Sequence, residues 1–235
     1  MTVRSRAAAG WTLVELTVVL LVAGLLIGLA GRAYLNADPV VDRQDARAHA
    51  GQIVAAIDAF ALSRGRLPCP DMNGNARENP CGGDAALRSG WVPYESLDLA
   101  VPSAARRSWY AVYRGTAGDL ASSEDVTGNG RVDRGDLVRK LAALSASTVV
   151  ESDQVHLTGD GGARGQVDCD ANRVVNPAYA VTVPRKDRDQ NGNRFDSPHE
   201  PGLCAYSPNT PESPRRDDVV QARGADELAG WLRRQ

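Results

Sequence analysis

Lysine is almost missing from this chain: Lys140 and Lys186 stand alone beside many arginines, and phenylalanine, with two residues, is as rare. With 27 basic against 29 acidic side chains and a formal charge of −2, no basic block of the kind that holds nucleic acid can form, and no specific nucleic-acid partner is expected. The three histidines, His49, His156 and His199, are scattered and match no H-E-x-x-H pair. No serine stands in G-x-S-x-G and there is no Walker lysine. An acid, base and nucleophile cannot be assembled from what remains, so the chain is not expected to be an enzyme. No two cysteines are spaced C-x-x-C, which argues against a zinc site, and no internal repeat is found. Disorder is excluded as well, because 43% hydrophobic residues at near-zero net charge can support a core. The length of 235 residues suits one medium domain, or a small domain with appendages.

The apolar residues are unevenly spread. From Trp11 to Ala30 the chain reads WTLVELTVVLLVAGLLIGLA, with one charge, Glu15, and two threonines. As a helix such a run covers about 30 Å, the thickness of the bilayer hydrocarbon. MTVRSRAAAG precedes it, carrying Arg4 and Arg6 and no acid, which puts the N-terminus in the cytoplasm and the remainder across the membrane. Three readings compete. A secretory signal peptide has the basic start but sits badly with Glu15 at the head of its apolar region. An ordinary membrane anchor leaves Glu15 unexplained.

The third reading accounts for the carboxylate. Gly10-Trp11-Thr12-Leu13-Val14-Glu15-Leu16 resembles the processing site of type IV prepilins and type II secretion pseudopilins. The resemblance implies that a prepilin peptidase cuts after Gly10, that Trp11 becomes the methylated first residue, and that Glu15 is the fifth. Trp11 replaces the family's usual phenylalanine with another large aromatic. An ionisable group inside an apolar helix costs about 2.5–3.5 kcal/mol on insertion scales, so it needs a partner. A neighbouring subunit's new α-amine would serve and would set axial register in a filament. Gly24, Gly28 and Gly31 follow a spacing that permits close helix contact, although glycine is also simply frequent in membrane helices.

Pro39 is expected to kink or break the helical pattern. Beyond it, Ala46, Ala50, Ile53, Val54, Ile57, Phe60 and Ala61 fall on one stripe, with Asp42, Arg43, Asp45, Arg47 and Gln52 elsewhere. Gly65 reads as the C-cap. Trp109 to Tyr113, Tyr179 to Val183 and, more weakly, Leu203 to Tyr206 read as strands; Leu137 to Leu144 and Asp226 to Leu232 read as short helices. Ser207 to Pro214 reads as a surface loop. The expected fold class is α+β: one long N-terminal helix, half in the membrane and half packed on a globular head, with an antiparallel sheet laid on the helix. The expected organisation is a leader at 1–10, a membrane-spanning part at 11–31, an amphipathic part at 32–64 and a head at 65–235.

Arg66-Leu67-Pro68-Cys69-Pro70-Asp71, a later cysteine, Gly90-Trp91-Val92-Pro93 with Leu97, and Asp217-Asp218-Val219-Val220 before Glu227-Leu228 together resemble a head pattern of large minor pilin-like proteins. Cys69, Cys81, Cys169 and Cys204 all follow the apolar run. On the periplasmic side an even count points to two disulfides. Three pairings are open, and sequence neighbours, Cys69 with Cys81 and Cys169 with Cys204, are the pairing expected. The shorter loop would gain about 3 kcal/mol in the chain-entropy model, a large contribution for a head with few aromatics.

Asp125-Val-Thr-Gly-Asn-Gly-Arg-Val-Asp-Arg-Gly-Asp136 carries side-chain oxygens at Asp125, Thr127, Asn129, Asp133 and Asp136, with Gly130 sixth and a backbone carbonyl, that of Arg131, seventh. That is the ligand spacing of an EF-hand calcium loop. It is similar to the dockerin version, which also ends in aspartate and leads into a helix. Thr127 and the terminal Asp136 both depart toward weaker binding. The plainer reading is a solvated Gly–Asn turn with helix-capping aspartates. Asp187, Asp189, Asn191 and Asn193 open a second such loop that must close on Asp196 or Glu200. Asp71-Met-Asn73-Gly-Asn75 and Asp168-Cys-Asp170-Ala-Asn172 share only the start, which turn propensity explains as well. Asp217 and Asp218 read as capping or surface residues.

The resemblances imply a structural subunit, a minor pilin or minor pseudopilin of a type IV pilus or type II secretion filament. Its partners would be other such subunits, the prepilin peptidase and inner-membrane lipid, with structural Ca2+ in the head. It would pass once through the inner membrane, hold its head in the periplasm, and then enter a periplasmic or extracellular filament. The reading from another class is a membrane-tethered calcium-binding adhesin or sensor that does not polymerise, which would need neither Gly10 nor Glu15.

Overall fold

A computed structural model of the chain describes residues 13–82, 87–158, 169, 173–188, 194–196, 202–213 and 216–235, with the backbone alone for 28–41. In chain order the elements are α1 (Leu13–Arg64), β1 (Ser89–Trp91), β2 (Trp109–Val112), β3 (Arg114–Gly115), β4 (Gly118–Asp119), α2 (Arg134–Ser145), β5 (His156–Thr158), β6 (Arg173–Val175), β7 (Tyr179–Val183), β8 (Cys204–Tyr206), β9 (Val219–Arg223) and α3 (Ala225–Arg234). The chain is therefore mixed α+β. Four strands form an antiparallel sheet in the order β1-β2-β7-β9. β3 and β4 form a small ribbon, and β6-β5-β8 a second sheet in which β5 and β8 run parallel. That parallel pair is absent from the sequence reading, which anticipates a single antiparallel sheet.

Two compact units divide between Asp42 and Arg43. In the first, α1 carries the apolar run. Among the described residues no helix is long and apolar enough to cross a membrane. The part of the run whose side chains are described, 13–27, is shorter than the roughly twenty residues a span needs, and the rest of 11–31 lies outside it. The bounds of α1 pass through position 39, so the break expected at Pro39 is not assigned there.

In the second unit, Arg43 to Arg64 supplies the spine of the core. All seven residues of the anticipated stripe are buried, from Ala46 to Ala61. They share one cluster with Tyr110, Val112, Tyr179, Val181 and Val183 of the sheet and with Leu137, Leu141, Leu228 and Leu232 of α2 and α3. Tyrosine does much of the filling that phenylalanine does elsewhere. Its polar tip needs a partner when buried, and each finds one: Tyr110 donates to the Pro68 carbonyl at 3.0 Å, the Tyr94 hydroxyl accepts from the Ser108 amide at 2.9 Å, and Tyr179 donates to Asp58 at 2.6 Å.

Gly65 ends α1 with φ +67° and donates to the Ala61 carbonyl at 3.0 Å, the left-handed cap anticipated. A Cβ there would also strike the backbone of Asp133, so the helix end is held directly against the 125–136 loop. The disulfides are Cys69–Cys81 and Cys169–Cys204, the sequence-neighbour pairing, each with a Cα–Cα distance of 5.8 Å.

Candidate functional site

Gly10 and Trp11 lie outside the described residues. Glu15 stands in the first turn of α1. Around it eleven large apolar side chains between Leu13 and Ile27 are exposed, Leu13 at 81%, Leu21 at 71% and Ile27 at 73%. They face every direction around the helix, so no single stripe could cover them. At about 1.5–3 kcal/mol for each such side chain, covering them all is worth on the order of 20 kcal/mol. A demand of that size calls for apolar cover.

The 125–136 loop is built by its own hydrogen bonds. Asp125 turns its carboxylate back onto the chain: Oδ1 accepts from the Gly128 amide at 2.6 Å and the Thr127 hydroxyl at 3.2 Å, and Oδ2 from the Gly130 amide at 2.7 Å. Gly128 and Gly130 take φ of +74° and +84°, as the tight turn requires. Asp133 is the N-cap of α2, accepting from the Gly135 amide at 2.7 Å, and Asp136 closes a capping box by accepting from the Asp133 amide at 2.8 Å. The other Asp136 oxygen accepts from the Thr127 amide at 2.8 Å. Asn129 donates to Asp133 at 2.9 Å, and Arg131 reaches the same oxygen at 3.3 Å. These amides hold the Asp136 carboxyl down to about 2, the Asp133 bond first, and also lower Asp125, chiefly through Gly130. The donor set is right in kind for calcium. Its carboxylates are nevertheless spent on amides and do not gather as a metal-sized group.

Among the described residues the group that does gather is Asp196, Asp217 and Asp218, with one carboxylate oxygen of each within 4.8 Å of the others and all three buried. This corrects the reading of Asp217 and Asp218 as capping or surface residues. Adjacent strand positions face opposite sides, so two acids leading straight into an apolar strand could not both point outward; that was the signal available. The three are laced through backbone amides. Asp196 accepts from Arg188 at 2.7 Å and from Asp217 at 2.8 Å, and Asp218 accepts from Asp196 at 2.9 Å. Asp217 also pairs with the Arg188 guanidinium at 2.7 Å and stands 4.0 Å from that of Arg185. Burial, and then the charge of Asp196, pushes the Asp218 carboxyl well up. The arrangement clasps Arg185, Arg188 and Asp196 to the start of β9.

Most of the second anticipated calcium loop falls outside the described residues. Asp187 is exposed while Asp196 turns inward to the clasp; Asp189, Asn191, Asn193 and Glu200 lie outside the described residues. Asp71 is the turn former that propensity suggests, accepting from the Asn73 amide at 3.0 Å and the Ala76 amide at 2.8 Å. Asp168, Asp170 and Asn172 lie outside the described residues.

One polar residue of the helix stripe was not anticipated. Asp58 is buried, takes the Tyr179 hydroxyl, and pairs with Arg223 of β9 at 2.9 Å, bolting α1 to two strands. No family model, no curated protein and no solved structure matches the chain.

Proposed function

We propose that the chain is a pilin-like structural subunit, a minor pilin or minor pseudopilin, anchored through residues 11–31 and assembled into a thin filament through one continuous N-terminal helix. The observation that carries this reading is the exposed apolar surface from Leu13 to Ile27, set around a single carboxylate and preceded by Gly10. Lipid covers that surface before assembly and other subunits' helices cover it afterwards. Glu15 takes a neighbour's α-amine and sets the register. Two disulfides in the head suit an oxidising compartment.

Calcium has a secondary place in this proposal. Asp125, Asp133 and Asp136, with Asn129, Thr127 and the Arg131 carbonyl, are hard oxygen donors of the kind calcium prefers, and Gly130 supplies the turn. Because the loop already satisfies itself, the ion reinforces it and is not needed for folding.

Mass spectrometry of the mature protein is the test. Residues 1–10 should be absent and the Trp11 amine methylated. An intact N-terminus, or cleavage near Ala30, would overturn the reading. Glu15→Ala should leave cleavage unchanged and reduce filament incorporation severalfold.

A further inference from the structure

The two edges of the four-stranded sheet are treated differently. At the β1 edge the chain covers itself: Asp71 and Trp91 exchange backbone hydrogen bonds of 2.9 and 2.8 Å. The β9 edge has no such cover, since among the described residues β9 pairs with β7 alone. An uncovered strand edge presents unpaired amides and carbonyls to any extended chain that can reach it. A bare five-residue edge would be unremarkable by itself. Here, though, two hollows of about 450 and 250 Å3 run along it and meet at Pro208 and Gln221. One wall is α1 and the other is the Pro208–Glu212 segment.

The ends of this trough differ in chemistry. Beside Val219 and Val220, Arg43 and Arg47 overhang it from successive turns of α1. Arg43 is paired with Glu212 at 3.0 Å, whereas Arg47 is exposed and makes no ion pair among the described residues. Beside Ala222 and Arg223, the walls are Val54, Ala55 and the half-buried Trp231. Arg47 and Ala55 stand about 12 Å apart along the helix, the length of about four residues of extended chain. Residues four apart on a strand share a face. The trough therefore selects an extended segment with an acidic side chain at one position and an apolar one four positions away.

We propose that the β9 edge is a docking groove for an extended acidic segment of another polypeptide, which adds to the sheet as a fifth strand. Backbone pairing with β9 supplies affinity, Arg47 reads the acid, and Trp231 with Val54 seats the apolar side chain. The inference is independent of the filament reading, because it uses only residues of the unit that begins at Arg43.

Fluorescence anisotropy tests it, with the full-length protein in detergent micelles and a labelled peptide Thr-Glu-Thr-Val-Thr-Val-Thr as probe. Saturable binding is expected. Strand amides point alternately toward and away from a partner, so N-methylation of one alternate set should weaken binding about tenfold or more, while methylating the other set should change it less than about twofold. Replacing the peptide's Glu by Lys, or making Arg47→Glu, should each weaken binding about three- to tenfold, and combining the two changes should restore it. Arg47 is exposed, so its variant keeps the fold, and an unchanged melting temperature verifies this. Equal losses with both methylation patterns, indifference to the charge swap, or no saturation at millimolar peptide would each overturn the proposal.

Discussion

Two aspartate-rich regions of this molecule hold their carboxylates in opposite ways. In the 125–136 loop Asp125 and Asp136 accept from backbone amides, Asp125 half-exposed and Asp136 buried, and the amides favour the charged form. In the clasp, Asp196, Asp217 and Asp218 are buried together, where desolvation and mutual repulsion favour the neutral form of Asp218. Residue type is the same in both. What surrounds the buried carboxylate sets the sign: donated amides lower Asp136, whereas desolvation beside other carboxylates raises Asp218. The pattern that resembles a metal loop is the region that satisfies itself, and the region that gathers donors has no recognisable spacing.

The largest effect should come from the clasp. Asp217→Ala leaves the Arg188 guanidinium without its carboxylate and the buried Arg185 with one acid fewer nearby, at a cost of about 3 kcal/mol in urea unfolding. A loss below about 1 kcal/mol would mean that the clasp behaves like a surface pair, and the contrast between the regions would collapse.

The pH dependences should separate the regions next, and with opposite signs. Asp136, lowered to about 2, contributes stability that is full above the unfolded value near 3.9 and is lost as pH falls through about 2. The melting deficit of Asp136→Ala should therefore be a few degrees at pH 7 and shrink between pH 4 and 2. Asp218 is raised, so its penalty is absent below about pH 4 and grows as pH climbs toward its folded value. Asp218→Asn should match the parent at pH 4 and equal or exceed its stability at pH 7. Equal pH profiles for the two variants would break the comparison.

Calcium should have the smallest effect. In the full-length protein, saturating Ca2+ at ten times its Kd should stabilise by about 1.4 kcal/mol, magnesium by much less, and Asp125→Ala should remove the shift. A melting curve that ignores both calcium and chelator would leave the loop as a capped turn only.

Much of the fold was legible in the sequence because periodic burial is a local property. The stripe from Ala46 to Ala61, the strand at Tyr179–Val183, the helices expected at 137–144 and 226–232 and found at 134–145 and 225–234, and the cap at Gly65 all follow from apolar spacing and one glycine. The short strands His156–Thr158 and Arg173–Val175 were not legible: three residues are too few to display a period, and each exists only through its neighbours in the sheet. Val219–Arg223 is longer but mixes faces, with polar Gln221 and Arg223 at its half-exposed end.

By itself the sequence determined the apolar run with its single carboxylate, the stripe that makes the second part of α1 a core helix, and the turn chemistry that closes the 125–136 loop. Each depends on residues within a few turns of one another. Only the tertiary structure decided that Asp58 would meet Tyr179 and Arg223 across more than a hundred residues, that Asp196 would join Asp217 and Asp218, and that, among the described residues, one sheet edge would be covered and the other would pair with β7 alone. Such meetings depend on where the chain returns, and a carboxylate takes its charge state from whatever is waiting there.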